Sequence, residues 1–129
     1  KVEFFEADAC NLLTRYSGYD LVLAANLIDR LYDPAKFLRE IASRINPGGL
    51  LVLLSHYTWL SGFTEKERWL GGFRRDGEPV FTLDGLKEAL ERHFALVAEP
   101  CDVPFVLRET RRKYQHTLSE MTVWEKRQA

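Results

Sequence analysis

The sequence predicts an α/β fold in which a parallel sheet continues into an antiparallel hairpin near the C-terminus. Two short apolar runs, residues 21–25 (LVLAA) and 50–54 (LLVLL), carry the first signal. Unbroken apolar runs of this length are typical of strands covered on both faces. The segment between them has helix signals at both ends. A strand, a crossover helix and a second strand give two parallel neighbours joined by a right-handed connection.

The crossover helix is predicted over residues 34–44. Asp33 can accept hydrogen bonds from the first free amides, and Pro34 suits the first helical position because its missing N–H would have no partner there. The run NPGG at 46–49 is expected to stop the helix, with a glycine in the left-handed region. One apolar face recurs at helical spacing: Phe37, Leu38, Ile41, Ala42 and Ile45.

Three further elements complete the prediction. A short strand at residues 2–5 precedes Asp8, although its partner is not obvious. The stretch TLDGLKEALERHF is a helix capped by Thr82, with an apolar side made of Leu83, Leu86, Leu90 and Phe94. Two β-like segments then flank a basic turn, so residues 105–108 and 116–124 are expected to form an antiparallel hairpin that closes one edge of the sheet.

Composition restricts the class of protein. A chain of 129 residues is one domain, 1–129, by the usual length prior. With 18 basic and 19 acidic residues, the net charge of −1 gives no reason to expect nucleic acid as a partner. No apolar run approaches the roughly 20 residues of a membrane span, so no membrane association is predicted. Two cysteines, Cys10 and Cys101, make neither a disulfide framework nor a metal cluster, and a reducing cytoplasm is the expected compartment.

Polar residues follow the predicted strands. Asp8, Asn26 and the segment 55–59 each lie just past a strand end. Ligands of open parallel sheets bind beyond the carboxyl ends of the strands, so these residues are a candidate ligand rim. The segment 56–81 is long and rich in aromatic residues and glycine, and loops of that length are uncommon unless they are functional.

Several strings resemble those of a known enzyme class. "DAC", "YDLVLAANLIDRL", "DPAKFLREIASRINPGGLLVLLS" and the closing hairpin resemble the second half of a class I S-adenosylmethionine-dependent methyltransferase. More narrowly, "DACNL", "NLIDRL", "YTWL", "WLGGF" and "RETRRKYQHTLSEMTVW" resemble the 4-mercaptohistidine N1-methyltransferase domain of ovothiol biosynthesis. This resemblance covers nearly all of the chain. It implies S-adenosylmethionine as the cofactor and N-methylation of the imidazole of a thiolated histidine, a small-molecule substrate.

The resemblance also defines what is missing. It implies a partial Rossmann-like fold that lacks the first strands, since the family's strand order is 3-2-1-4-5-7-6 and only strands 3 to 7 have counterparts. No Gly-x-Gly pattern occurs in the sequence. The chain alone is therefore expected to bind S-adenosylmethionine weakly or not at all. Rival readings are a methyltransferase for another small metabolite and a non-catalytic remnant that dimerises or binds a partner.

The resemblance assigns the cofactor to five residues. Asp8 would accept a hydrogen bond from the adenine amine, with Ala9 and Cys10 beside the ring, and Asn26 and Leu27 would follow the fourth strand. Purely structural roles are also open for three of these residues. Asp8 suits a turn or cap, Asn26 suits bonding of loose backbone at the strand end, and Cys10 suits packing in the core.

Catalysis is assigned to Asn26, Asp29 and Tyr57, with Asp29 orienting an imidazole N–H; its alternative is a solvated pair with Arg30. Tyr57 and Trp59 can hold a flat ring and favour the sulfonium cation, or else anchor the long loop.

An arginine can grip the α-carboxylate of an amino-acid substrate by a bidentate bond, and the candidates are Arg108 and Arg111. Their alternative is a solvated charge run. The three histidines show no metal-ligand spacing, so no metal is assigned: His56, His93 and His116.

The strand edge at residues 21–25 leads to a prediction about the oligomeric state. That edge carries no lysine or proline, and exposed apolar edges are templates for pairing with another chain. Symmetric dimers are the commonest closed outcome, so a homodimer is predicted, with this edge or the strand at 2–5 in the interface.

Overall fold

The computed structural model describes residues 1–128, so only the last residue of the predicted domain, Ala129, lies outside it. Seven strands and two α-helices make up this part of the chain, in the order β1 (Tyr19–Ala25), α1 (Pro34–Ile41), β2 (Ile45–Ser55), β3 (Phe73–Arg75), β4 (Glu78–Val80), α2 (Thr82–Leu90), β5 (Phe94–Leu96), β6 (Cys101–Thr110) and β7 (Lys113–Lys126). Short 3₁₀ turns occupy Ile28–Arg30, Ala42–Arg44 and Lys66–Arg68. The predicted α/β fold class is confirmed.

The main sheet has the order β1-β2-β7-β5, and β6 pairs with the remaining length of β7. As predicted, β1 and β2 are parallel neighbours. The C-terminal hairpin is confirmed too, but only one of its two strands, β6, lies at an edge of the sheet. Because β7 is 14 residues long, its first part pairs with β6 while its last part lies between β2 and β5. The resulting order corresponds to 4-5-7-6 of the methyltransferase sheet.

The crossover helix begins as predicted and ends earlier. An Asp33 carboxylate oxygen accepts from the Lys36 amide at 3.1 Å, which caps the helix. The α-helix stops at Ile41 and continues as a 3₁₀ turn, so the NPGG run does not end it. That run instead begins β2, where Gly48 has φ +78° and the register with β1 slips. Such a bulge needs a residue that tolerates the left-handed region, and glycine does so without steric cost.

The core lies on one face of the sheet. Leu51 and Leu53 of β2 are buried against the two α-helices, together with Trp124 of β7. The opposite face is open within residues 1–128, where Leu21 and Leu23 of β1 are 57% and 61% exposed. The prediction that both strands are covered on both faces is therefore wrong for the part of the chain described, because both α-helices pack on the same side.

Two further predictions are wrong. Residues 2–5 form no strand, since no neighbouring strand of the described chain offers them a ladder; Val2, Phe4 and Phe5 are exposed. Thr82 does not cap α2, because Phe81 occupies the cap position and the Thr82 hydroxyl is bonded elsewhere. Among residues 1–128, neither α-helix has the length and apolar character needed to cross a bilayer.

Candidate active site

Two residues just beyond the parallel strands have left-handed backbones. Asn26 follows β1 with φ 52°, and Tyr57 comes two residues after β2 with φ 55°. Positive φ is uncommon outside glycine, and for an aromatic residue it is a strained conformation that tends to occur at functional sites. The Asn26 amide donates to the Leu54 carbonyl at 2.7 Å, which ties the two strand ends together. Asn26 and Tyr57 therefore lie at neighbouring strand ends with an unusual backbone at both positions, whereas Asp8 follows no strand.

Asn26 is joined to β7 by its side chain. The hydroxyl of Ser119, a buried residue, donates to the Asn26 amide oxygen at 2.7 Å. The structural alternative for Asn26 was a side chain that bonds loose backbone at the strand end, but the side chain is bonded to a serine hydroxyl instead, and only its main-chain N–H bonds Leu54. The side chain remains exposed, with its NH₂ group still able to donate. Asn26 can thus donate to a ligand through its NH₂ group while its amide oxygen is fixed by the Ser119 hydroxyl.

Tyr57 is joined to the next residue of β7. Its hydroxyl donates to a Glu120 carboxylate oxygen at 2.8 Å. Burial, and then this bond to a carboxylate, raise the pKa of Tyr57 far above its ordinary value. Tyr57 is therefore a hydrogen-bond donor here rather than a base. Glu120 is a site residue that the sequence did not indicate, because only the register Ser55↔Glu120 brings it to the strand end.

Asp29 is fully buried in the 3₁₀ turn after β1. One oxygen accepts from the Thr58 amide at 3.1 Å and from the Arg30 guanidinium at 3.2 Å. The other oxygen has no partner within residues 1–128. Asp29 does pair with Arg30, but it is fully buried, so the alternative of a solvated pair does not hold. A carboxylate so enclosed cannot touch a substrate at the rim directly, so Asp29 acts through its neighbours.

His56 is one of those neighbours, and no role was predicted for it. Its Nδ1 lies 2.7 Å from the Thr58 hydroxyl and 3.4 Å from the buried Asp29 carboxylate. The ring also lies beside Phe105 of β6, with centroids 6.5 Å apart. When Nδ1 carries the proton towards these oxygens, Nε2 is left as an acceptor. A single histidine without a motif around it offers no sequence signal of this arrangement.

The predicted adenine side lies at the other end of the rim. Asp8 accepts from the Cys10 amide at 2.9 Å and from the Tyr32 hydroxyl at 2.5 Å, so its turn role is realised. Cys10 is buried, and burial raises the pKa of its thiol. Ala9 and Leu27 line an apolar groove of about 280 Å³ along the edge of β1. An apolar groove beside a carboxylate fits a flat heterocycle with an exocyclic amine, such as adenine.

The Asp8–Tyr32 bond predicts a pH dependence. The pKa of Asp8 is lowered, first by the Tyr32 hydroxyl, and the pKa of Tyr32 is raised to about 12, first by that same bond. A raised tyrosine pKa stabilises the fold below its unfolded value of 10.0, and that contribution is lost as the pH rises towards about 12. In a phenolate absorbance titration, Asp8→Asn is expected to move one late-ionising tyrosine to lower pH. Tyr32→Phe should remove that component and Tyr19→Phe should not; an unchanged titration in Asp8→Asn would contradict the assignment.

The remaining predicted residues are not brought to this rim as binding groups. Trp59 is 7% exposed, and its indole N–H donates to the Thr82 hydroxyl at 2.9 Å, so it anchors the long loop. Arg108 pairs with Tyr114, six residues from Glu120 along β7, which is about 20 Å at the usual rise of ~3.4 Å. Arg111 lies exposed in the turn beyond it. Arg74 of β3 is nearer: it lines the same pocket as Tyr57 and Glu120.

That pocket has a volume of about 660 Å³ and opens between the rim, the β3–β4 hairpin and the start of α2. The size is within the usual range for small-molecule sites. Across residues 1–128, no group of histidine, cysteine, aspartate and glutamate side chains is arranged to hold a metal ion.

Comparison with known proteins agrees with this geometry. Residues 1–53 match a family model described as a methyltransferase domain. Over 56 residues the chain is 39% identical to norajmaline N-methyltransferase of Rauvolfia serpentina; the match covers 43% of this chain and 19% of that enzyme.

Two solved structures share the fold. One is a S-adenosylmethionine-dependent methyltransferase of Methanosarcina mazei, with a TM-score of 0.64 and 21% identity over 100% of this chain and 69% of that one. The other comes from work on the conversion of a disulfide bond into a thioacetal group during echinomycin biosynthesis, with a TM-score of 0.63 and 14% identity over 95% of this chain and 55% of that one.

The Methanosarcina structure shows that this chain shares its fold with a S-adenosylmethionine-dependent methyltransferase. The two sequence matches to methyltransferases each cover less than half of this chain. The chain spans about a fifth of the curated relative that it matches and about half of the echinomycin structure. The narrower resemblance to the ovothiol methyltransferases is not supported by these matches.

Proposed function

We propose that this chain takes part in S-adenosylmethionine-dependent N-methylation of the imidazole of a thiolated histidine. The observation that carries the proposal is the pair of left-handed residues at the strand ends, where Asn26 is bonded to Ser119 and Tyr57 is bonded to Glu120. Tyr57 and Glu120 also line a substrate-sized pocket. The name of the Rauvolfia relative, an N-methyltransferase, supports a nitrogen acceptor. The ovothiol-like strings quoted above supply the choice of imidazole.

Four residues would contact the cofactor, and Cys10 would hold one of them, Asp8, through its amide. The cofactor would supply a methyl group on a sulfonium sulfur that is a good leaving group. Asp8 would accept from the adenine amine through lone pairs that the Cys10 amide and Tyr32 leave free. Ala9 and Leu27 would pack on the ring in their shared groove. The exposed Asn26 amide would donate to the amino-acid part.

The acceptor side needs alignment and exclusion of water more than it needs strong acid–base chemistry. A neutral imidazole nitrogen is already a nucleophile, so holding it in line with the methyl group accounts for most of the rate. Asn26 and Tyr57 act directly at the rim, and Asp29 is a positioning residue that holds His56. The bound cofactor would supply the methyl group to the acceptor nitrogen, and the second ring nitrogen of the acceptor would then lose its proton.

Methyl transfer tests the proposal. With methyl-labelled S-adenosylmethionine at millimolar level, used because weak binding is predicted, the protein is expected to form N1-methyl-4-mercaptohistidine and S-adenosylhomocysteine in equal amounts. Asn26→Ala should lower the rate at least about tenfold, because alignment is lost, while exposed Asn11→Ala should not. Transfer to another metabolite but not to the thiolated histidine would favour the broader methyltransferase reading. If S-adenosylmethionine binds under these conditions, no transfer to any acceptor would contradict the proposal.

We also propose a homodimer that uses the outer edge of β1. Leu21 and Leu23 are exposed there, and among residues 1–128 no strand pairs with that edge. Edge strands of this kind pair readily with a second copy. The two cysteines are free, which accords with the reducing cytoplasm that we propose as the compartment.

Light scattering tests the dimer. A concentration-dependent dimer is expected for the unaltered chain, and Leu23→Lys should make it monomeric because a lysine blunts a strand edge. Leu118→Lys is the matched control, since Leu118 is similarly exposed but lies on β7. A monodisperse monomer at high concentration would refute this part of the proposal.

A further inference from the structure

The 660 Å³ pocket contains a carboxylate that lacks a counter-ion. Glu120 is half-buried at its wall, and one carboxylate oxygen accepts from Tyr57. Within residues 1–128, no lysine, arginine or histidine nitrogen lies within 4 Å of Glu120. A partly desolvated carboxylate with a neutral donor on one oxygen favours a cationic partner on the other.

The surroundings of Glu120 strengthen that preference. Asp102 lies directly opposite it on β6, so the two side chains share one face of the sheet. Asp84, in the first turn of α2, also lines the pocket. Tyr57, Phe73 and Phe81 supply aromatic surface, which attracts a cation as well as packing on a flat ring.

A cationic side chain lines the same pocket. Arg74 of β3 uses a guanidinium N–H to bond the Gly77 carbonyl at 2.9 Å and has further donors in its fixed fork. Such a fork matches the geometry of a carboxylate. The pocket thus offers an acceptor for an ammonium group, a donor set for a carboxylate and aromatic surface for a flat ring.

We propose that this pocket binds the methyl acceptor as an amino-acid zwitterion, with its ammonium group on Glu120 and its carboxylate on Arg74. The proposal rests on the proposed function and adds to it the groups that bind the acceptor. It replaces the hairpin arginines Arg108 and Arg111, which lie at the far end of β6 and β7, as the binders of the carboxylate.

Binding of three imidazoles tests it, measured by ligand-observed NMR without S-adenosylmethionine. L-histidine carries both charges, histamine only the ammonium and imidazole-4-propionate only the carboxylate. Glu120→Gln is expected to weaken histamine and L-histidine about tenfold and to leave imidazole-4-propionate unchanged. Arg74→Gln should show the reverse selectivity, weakening only the two probes that carry a carboxylate.

Three further variants keep the test decisive. Glu88→Gln makes the same charge change on α2 outside this pocket and should alter nothing. If Glu120→Gln fails to fold, Glu120→Asp keeps the negative charge on a shorter side chain and should weaken histamine without affecting imidazole-4-propionate. Loss of histamine binding in Asp84→Asn but not in Glu120→Gln would overturn the assignment, as would absence of saturable histamine binding by the unaltered chain.

Because the probes are not methylated in this experiment, the two proposals fail separately. Selective binding without methyl transfer in the earlier assay would overturn the proposed function and leave the zwitterion site standing. Methyl transfer with probe binding that is insensitive to both Glu120→Gln and Arg74→Gln would do the opposite.

Discussion

Replacement of Trp59 by alanine is expected to lower the free energy of unfolding by about 3–5 kcal/mol, the usual cost of deleting a buried tryptophan. Trp59 is almost fully buried, and its indole N–H is bonded to Thr82 at the start of α2. Its ring also lies 3.5 Å from the position that a side chain at Gly72 would occupy. The residue therefore fastens the long loop to the helix, and its loss removes both packing and a buried hydrogen bond. Urea unfolding followed by circular dichroism measures the change.

Conservative variants separate the two contributions. Trp59→Phe keeps most of the apolar area and should cost only about 1–2 kcal/mol, chiefly from the Thr82 hydroxyl left unbonded. Trp69→Ala is the comparison in the same loop; Trp69 is half-buried and bonded to the Thr64 carbonyl, so its effect should be smaller. A substrate role would give the opposite pattern, in which Trp59→Ala leaves the unfolding free energy unchanged and abolishes ligand binding.

The elements that sequence reasoning predicted well are those with local signals. Asp33 and Pro34 mark a helix start, and the apolar runs around that helix mark two strands, so the parallel pair β1–β2 followed directly. The hairpin was predictable from alternation, but the interior position of β7 depends on its length and on which strand ends meet. β5 was missed because three residues offer too short a pattern.

The site was less predictable because its bonds cross long sequence distances. Asn26 and Tyr57 could be selected as residues that follow strand ends. Asparagine adopts a positive φ more readily than most residues, but nothing in the residue type marks the left-handed backbone of Tyr57. Glu120 and Ser119 reach them only through the register of β7 against β2. His56 near Asp29, and Arg74 in the pocket, likewise depend on how the long loop folds back. The hairpin arginines looked suitable by charge alone, and the length of β6 places them away from the pocket.

Gly85→Ala is expected to destabilise the protein by about 2 kcal/mol, although alanine favours a helix interior by about 1 kcal/mol over glycine. A steric clash outweighs the gain in helix propensity, so the net change in the free energy of unfolding is unfavourable. A Cβ at Gly85 would overlap the backbone carbonyl oxygen of Leu70 and lie 2.9 Å from its carbonyl carbon. Backbone cannot yield as a flexible side chain can, so the loop must lift from α2.

The same displacement would move the wall of the candidate pocket, because the loop that carries Leu70 leads directly into β3. Weaker binding of L-histidine should therefore accompany the lower midpoint in urea. Gly62→Ala is the matched control: no atom lies within 4 Å of a Cβ there, and its φ is not in the left-handed region. Alanine at that site should be neutral or slightly stabilising, since it restricts the unfolded chain. A Gly85→Ala variant as stable as Gly62→Ala would mean that the loop does not pack on α2 as closely as described.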